Sequence, residues 1–263
     1  MKTRIITGVV AAALFIPFVV YGGLPWTILV YALAAIGMYE LLKMNDISIF
    51  STPGVLGTLA LFVLLMPNEW AIQVEEWTGY PKLELAFIMV ILLLVYSVLI
   101  KNKFTFDHVG FVVLAAMYVG LGFHYFIETR NEGLVYIIFA LVVVWSTDSG
   151  AYFTGRKFGK RKLWPEISPN KTVEGFIGGI LIAVVFAVAM ELIYPFASSW
   201  ANLLLVTIVC SIFGQMGDLV ESAIKRHYGV KDSGKVLPGH GGILDRFDSL
   251  LFVLPLLHFL HFV

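Results

Sequence analysis

The chain has 263 residues, of which 59% are hydrophobic and only 14% are Asp, Glu, Lys or Arg. Soluble domains carry about a quarter charged residues, so this composition, with a mean hydropathy of +0.87, excludes an ordinary soluble domain and indicates a polytopic membrane protein. The 18 basic residues are balanced by 18 acidic ones, which gives no reason to expect nucleic-acid binding. The single Cys210 lies in an apolar run and excludes an intrachain disulfide.

The N-terminus has a basic start, Met1 to Arg4, followed by an apolar run that ends near Tyr21. This arrangement resembles a signal peptide. The run is long for the apolar part of such a peptide, and the segment 22–25 leads directly into another apolar run. We therefore expect the segment to be retained as the first membrane span.

Apolar runs of the length that crosses a bilayer predict an all-α polytopic membrane protein with about nine transmembrane helices. The predicted spans are 5–22, 24–42, 54–67, 83–100, 109–127, 134–153, 176–196, 202–224 and 243–263. The third is the weakest, because it is short and ends at Pro67. A re-entrant segment, or a span joined with residues 70–74, is the alternative there, and a count of eight spans stays open.

The distribution of Lys and Arg tests this count, because basic residues accumulate in cytoplasmic loops. With nine spans and a cytoplasmic N-terminus, 16 of the 18 basic residues fall on the cytoplasmic side, and only Lys82 and Arg130 fall outside. Adding or removing one span before Lys101 would place the upstream basic residues on the wrong side. The pattern therefore predicts a cytoplasmic N-terminus and an external C-terminus.

The chain shows no internal repeat and no low-complexity linker. We divide it into an N-terminal transmembrane region, 1–133, and a catalytic transmembrane region, 134–263. Two long cytoplasmic loops, 154–175 and 225–242, belong to the second region and contain most of its charged residues.

Four carboxylates are predicted at the cytoplasmic ends of spans, namely Asp148, Asp218, Asp245 and Asp248. Asp218 lies roughly 9 Å in from the predicted end of its helix at 1.5 Å per residue, so it needs a partner. Asp245 and Asp248 are three residues apart and would share one helix face, as would Asp218, Glu221 and Ser222 on theirs. Facing acidic surfaces favour a cation. First-turn acids on a helix dipole, or pairs with Lys and Arg, are the structural alternatives.

A glycine turn, Gly239-His240-Gly241-Gly242, precedes the predicted last helix. Free backbone N–H groups at a helix N-terminus suit phosphate, although the nearby carboxylates would repel it unless a metal lies between them. Mg²⁺ commonly binds one or two carboxylates together with substrate phosphates. The segment therefore predicts a combined phosphate and metal site. The remaining histidines in apolar runs are interpreted as packing residues.

The polar segment 222–248 resembles the signature of the phosphatidate cytidylyltransferase family, also called CDP-diacylglycerol synthases. The resemblance lies in Ser222, Lys225-Arg226, Lys231-Asp232, Pro238-Gly-His-Gly-Gly242 and Asp245-Arg-Phe-Asp248. Two further segments, 148–159 and 168–175, also resemble the family. The first 130 residues are similar only in forming apolar spans.

The resemblance implies transfer of a cytidylyl group from CTP to phosphatidate in a bilayer. It also implies that the reaction needs Mg²⁺, and whether a second cation binds stays open. It implies a catalytic set of Asp218, Asp245, Asp248, Lys225 and Arg226, with the three aspartates as metal ligands. It implies a substrate-binding set of Lys171, Ser222, Lys231, Lys235, His240, Gly241, Gly242, Arg246 and Asp148. Asp148 could instead orient a basic residue or a second ion.

The expected location is the cell (inner) membrane, with the active site at the cytoplasmic face, where CTP and a membrane-held lipid can meet. The family makes a homodimer plausible, although no spacing in the sequence tests it. Two alternatives remain: a CTP-dependent polyprenol kinase or cytidylyltransferase for another lipid phosphate, and an ion-coupled transporter. The transporter is disfavoured because the acids lie at one leaflet and no inverted repeat is evident.

Overall fold

A computed structural model describes residues 2–263, with side chains from Ile6 onward. The chain divides into two compact units, each described separately below. The first contains residues up to 128 together with 232–244, and the second contains residues 129–231 and 245–263. The division at residues 133 and 134 expected from the sequence stays a prediction.

The first unit is built from helices. They are α1 (Lys2–Tyr21), α2 (Gly23–Met44), α3 (Thr52–Leu65), α4 (Asn68–Thr78), α5 (Lys82–Leu99) and α6 (Phe106–Glu132), with the unit boundary inside α6. All of them are apolar except α4. Trp26 on α2 is fully buried, its ring lies 4.9 Å from that of Phe126, and its indole N–H donates to the Phe126 carbonyl at 3.4 Å. Aromatic packing with a satisfied polar group therefore fixes α2 against α6.

The third predicted span, 54–67, is observed as the 14-residue helix α3 followed by α4 after a bend of 112°. Ser51 caps α3 by accepting the Gly54 N–H at 3.3 Å, and Pro67 ends the helical stretch since proline disfavours helix in the residue before it. At 1.5 Å per residue α3 is only about 21 Å long, shorter than the ~30 Å hydrocarbon layer. The broken or re-entrant alternative considered for this segment agrees with the bend.

The second unit contains α7 (Leu134–Phe158), β1 (Lys162–Trp164), β2 (Ser168–Thr172), α8 (Val173–Ile193), α9 (Trp200–His227), α10 (Leu244–Phe247) and α11 (Leu250–Phe259). α7 and α8 approach each other closely at glycines. A Cβ on Gly179 would lie 2.8 Å from the Thr147 carbonyl oxygen, and one on Gly150 would lie 3.1 Å from the Gly179 Cα. Small residues let the two backbones approach closely, which is typical of helices in membranes.

Three boundaries correct the sequence analysis. The loop predicted at 154–175 is largely ordered, because α7 continues to Phe158 and β1 pairs antiparallel with β2. The loop predicted from residue 225 begins after α9 ends at His227. The last span, predicted as one helix over 243–263, is broken between α10 and α11, where Asp248 Oδ1 accepts the Ser249 N–H at 2.7 Å. Such local bonds compete with helix formation, so Asp245 and Asp248 do not share one continuous helix.

Within the described residues, six helices are long and apolar enough to cross a membrane, and the bent pair α3–α4 could add one more. The six are α2, α5, α6, α7, α8 and α9. The apolar part of α1 and the helix α11 are shorter than this criterion. The chain is thus an α-helical protein with membrane-spanning helices, while the count of nine and the side of each terminus stay predictions.

Candidate active site

A cavity of about 460 Å³ lies within the second unit, between α7, β2, α8 and α9. Its polar lining consists mainly of Asp148, Tyr152, Arg156, Lys171, Gln215 and Asp218. Acidic and basic groups therefore border one space large enough for part of a small ligand. Asp148, Lys171 and Asp218 were predicted as site residues, and the fold brings them together.

Lys171 lies on β2 and forms an ion pair with Asp218 of α9. The side chains are 27% and 33% exposed, so both remain accessible from the cavity. The hairpin is fixed beside α8, because Thr172 caps that helix by accepting the Gly175 N–H at 3.1 Å. Ser222, one turn along α9, donates its hydroxyl to Asp218 at 3.4 Å. These contacts orient the Asp218 carboxylate.

Lys225 on α9 connects two further carboxylates. Its ammonium group lies 2.5 Å from Glu221 on the same helix and 2.5 Å from Asp245 on α10. Glu221 is 1% exposed and the side chain of Asp245 is 6% exposed, so the cluster is nearly shielded from solvent. The members of such a buried ion cluster stabilise one another, because removal of one leaves the remaining charges uncompensated.

Asp248 occupies the turn between α10 and α11, outside both helices. Its carboxylate interacts electrostatically with the carboxylates of Asp218 and Asp148. Its backbone is pressed against α9, since a Cβ on Gly217 would lie only 2.7 Å from the Asp248 carbonyl oxygen. Asp148, Asp218 and Asp248 therefore form an electrostatically crowded set of carboxylates.

No group of three His, Cys, Asp or Glu side chains in the described part of the chain has the geometry to hold a metal ion. The set predicted for metal binding is divided, since Asp245 pairs with Lys225 whereas Asp218 interacts with Asp248 and Asp148. The oxygen donors of these last three still suit Mg²⁺, which needs only one or two protein carboxylates when substrate phosphates supply other ligands. Metal binding stays a prediction.

Four predicted substrate-binding residues, Lys235, His240, Gly241 and Gly242, lie in the first unit. The His240 N–H donates to the Leu237 carbonyl at 2.9 Å, and Gly239 has a φ of 77°, as a tight turn with proline at its second position requires. Past this turn, the N–H groups of Ile243 and Leu244 donate to the carboxylate of Glu40. The backbone amides at the start of α10 are thus occupied by Glu40 rather than open to phosphate.

The other predicted cations are more exposed. Arg226 lies at the end of α9, and its Nε approaches the Ile167 carbonyl at 3.5 Å. Arg246 on α10 is exposed and interacts electrostatically with Asp148. Lys231 is exposed at the surface of the second unit. These positions allow contact with a ligand, and their assigned roles stay predictions.

Four residues near the predicted groups were not assigned by the sequence analysis: Glu40, Tyr152, Arg156 and Gln215. Glu40 had a usable signal, because a glutamate inside an apolar span is expensive to keep and indicates a specific partner. Gln215 Nε2 donates to the Phe176 carbonyl at 3.2 Å, which no spacing in the sequence predicts. The cavity-lining role of Tyr152 and Arg156 depends on the close approach of α7 and α8.

Comparison with known proteins places the chain in a family. Residues 2–263 match the family model described as "Cytidylyltransferase family". The chain is similar to a protein of Bacillus subtilis (strain 168) named phosphatidate cytidylyltransferase, with 58% identity over 263 residues that cover 99% of this chain and 97% of the relative.

Proteins with the same name from Staphylococcus epidermidis and Staphylococcus aureus (strain COL) are 50% and 48% identical. Each alignment extends over 260 residues and covers 99% of this chain and 98% of the relative. Because the family match and these alignments extend over nearly the whole chain, this chain belongs to the cytidylyltransferase family and is a nucleotidyltransferase.

Proposed function

We propose that this protein transfers the cytidylyl group of CTP to phosphatidate, forming CDP-diacylglycerol and pyrophosphate for phospholipid synthesis. The observation that carries the proposal is the cavity in which Lys171 of the β2 strand meets Asp148 and Arg156 of α7 and Asp218 of α9. The chain that forms this cavity aligns over nearly its full length with proteins named phosphatidate cytidylyltransferase. Phosphate groups need cations, and a lipid substrate needs a site within the membrane.

In the proposed reaction, a phosphate oxygen of the lipid attacks the α-phosphorus of CTP. The bond from that phosphorus to the oxygen bridging it to the β-phosphorus breaks, and pyrophosphate leaves with the electron pair. The attacking phosphate is already ionised near neutral pH, so the protein needs no strong general base. Its task is to bring two anions together and to stabilise charge on the leaving group.

The cavity residues fit this task. Lys171 and Arg156 border the space and would neutralise phosphate charge, while Asp218 keeps Lys171 in position through their ion pair. Asp218 and Asp248, with Asp148 beside them, are the carboxylates that would hold Mg²⁺. When bound, the ion would supply positive charge to the phosphates of both substrates. Lys225 would hold Asp245 next to this region.

We further propose nine membrane segments, with the N-terminus in the cytoplasm and the C-terminus outside. The support is the placement of 16 of 18 basic residues on one side. The cavity would then open at the cytoplasmic face of the cell membrane, where CTP is available and phosphatidate keeps its acyl chains in the bilayer. A homodimer remains an expectation from the family.

The test is incubation of the purified protein in detergent with phosphatidate and CTP radiolabelled at either the α- or the γ-phosphate, with Mg²⁺ or with EDTA. We expect α-label in the lipid phase and γ-label released as pyrophosphate, with both lost in EDTA. Transfer of γ-label to the lipid would identify a kinase and overturn the proposal. Full turnover in EDTA would remove the metal from it.

Replacement of Asp218 tests the site within the same assay. We expect Asp218→Ala to abolish transfer of α-label, because it removes the partner of Lys171 and a proposed metal ligand. Asp107→Ala is the matched control, since Asp107 is an exposed aspartate in the first turn of α6. Near-normal turnover of a folded Asp218→Ala protein would exclude Asp218 from the mechanism.

A further inference from the structure

Glu40 is a buried carboxylate on the apolar helix α2 of the first unit, with 1% of its surface exposed. A charge in such a place is costly unless hydrogen bonds compensate it. Three donors to this carboxylate come from one stretch of chain about 200 residues away in sequence. This stretch, residues 233–244, is here called the signature loop, and it contains the predicted ligands Lys235 and His240.

The carboxylate of Glu40 holds both ends of the signature loop. At the far end, Oε1 accepts the Ile243 N–H at 2.9 Å and Oε2 accepts the Leu244 N–H at 3.0 Å. At the near end, the Ser233 hydroxyl donates to Oε2 at 3.0 Å. One side chain therefore closes the loop into a ring and fixes where its backbone enters α10, one residue before Asp245.

Two glycines of the signature loop are explained by the same contact. A Cβ on Gly234 or on Gly242 would fall within 3.0 Å of Glu40 side-chain atoms. Larger residues at either position would displace the carboxylate or the loop. Glycine at both positions therefore leaves the space that the Glu40 carboxylate occupies.

We propose that Glu40 is a positioning residue, which holds the signature loop in the conformation that binds substrate; this inference rests on the function proposed above. Glu40 touches neither substrate nor reacting atoms in this role. It acts through the backbone of the loop.

The test uses Glu40→Gln in the full-length protein in detergent. The amide keeps the shape of the side chain but offers one acceptor oxygen instead of two, so one loop N–H loses its acceptor. Loss of a hydrogen bond to a charged group lowers the equilibrium constant between the ordered and the disordered loop by about 10- to 100-fold. We expect faster cleavage after Lys235 by a lysine-specific protease. A smaller ordered fraction weakens apparent affinity, so the KM for CTP should rise about tenfold, with kcat changed less than about threefold.

Glu191→Gln is the matched control. Glu191 is also a buried glutamate on an apolar helix, and it accepts the N–H groups of Phe196 and Ala197. These two partners lie outside the signature loop. We expect its variant to keep wild-type cleavage after Lys235 and wild-type KM. Equal changes in both variants, or wild-type cleavage and KM in Glu40→Gln, would overturn the proposal.

Ser233→Ala provides a milder test if Glu40→Gln fails to fold, because it removes the hydroxyl bond to Glu40 and leaves the backbone N–H bonds from Ile243 and Leu244 in place. We expect an increase in cleavage and in KM in the same direction but smaller. If Glu40→Gln is unfolded and Ser233→Ala shows wild-type cleavage and KM, Glu40 has only a role in folding and the proposal is wrong. The cleavage assay needs no turnover, so it decides the role of Glu40 even if the wild-type protein makes no CDP-lipid and the proposed function fails.

Discussion

Lys225 is the residue in which stability and activity are most closely connected. It compensates Glu221 and Asp245 at 2.5 Å each, in a nearly dry cluster. Removing one partner of a buried ion pair costs about 3–5 kcal/mol because the remaining charge is uncompensated. We therefore expect Lys225→Met to lower the melting temperature in detergent strongly and to abolish transfer of α-label.

The double variant Lys225→Met with Glu221→Gln separates these two effects. Neutralising Glu221 removes one uncompensated carboxylate, so part of the lost stability should return while activity stays absent. Lys160→Met, at an exposed lysine, is the control and should leave both unchanged. Recovery of activity in the double variant would show that Lys225 serves only the fold.

The sequence pointed to individual charged residues but not to their partners. Asp218 and Asp245 were singled out because charged groups near apolar spans are costly, and Lys171 and Lys225 through the family resemblance; the roles of all four stay predictions. Which cation meets which carboxylate depends on distances between helices, and no spacing within one helix specifies it. Glu40 had a usable signal as a glutamate inside an apolar span, but its partners on a loop far away in the sequence could not be predicted from it.

The contact of α9 with the turn before α11 sets the position of Asp248. A Cβ on Gly217 would lie 2.7 Å from the Asp248 carbonyl oxygen, a backbone atom that cannot move alone. We expect Gly217→Ala to shift Asp248, and a misplacement of about 1 Å in a catalytic group costs on the order of 100-fold in rate. Steady-state assays of α-label transfer would measure the loss.

Gly214→Ala is the matched control on the same helix face. Its new Cβ would meet Val253 Cγ2 at 3.2 Å, a side-chain atom that can adjust. We expect this variant to keep at least about a third of wild-type activity, since small core adjustments cost little. Equal losses in the two glycine variants would mean that general helix packing, and not the position of Asp248, limits the rate.

At the scale of elements, the apolar runs predicted where the long helices lie but not where they break. The α2, α5 and α6 spans agree with prediction within a few residues, because twenty apolar residues leave few alternatives to a membrane helix. The breaks at residues 66–67 and 248–249 depend on local competition by Pro67, Asp248 and Ser249. The β1–β2 hairpin is short and polar, so it has no hydrophobic periodicity to reveal it.

At the scale of the whole chain, composition predicted the class of protein, because a chain with 14% charged residues has too little polar surface for a soluble domain. The assignment of 232–244 to the first unit was not predictable. Single contacts support it, such as those of Glu40 with the segment, and hydropathy averages over single residues. The predicted side of the membrane for each loop depends only on the distribution of basic residues, so it is the main prediction to test.

Orientation can be measured by cysteine labelling, since Cys210 is the single cysteine and is buried. In a Cys210→Ser background, Lys160→Cys reports on the segment after α7, and Glu76→Cys reports on α4; both positions are exposed. A membrane-impermeant maleimide applied to intact cells should label Glu76→Cys only, and Lys160→Cys should react only after lysis, because basic loops stay in the cytoplasm. Labelling of Lys160→Cys in intact cells would place the cavity beside α7 outside, away from cytoplasmic CTP, and would contradict both the topology and the proposed use of CTP.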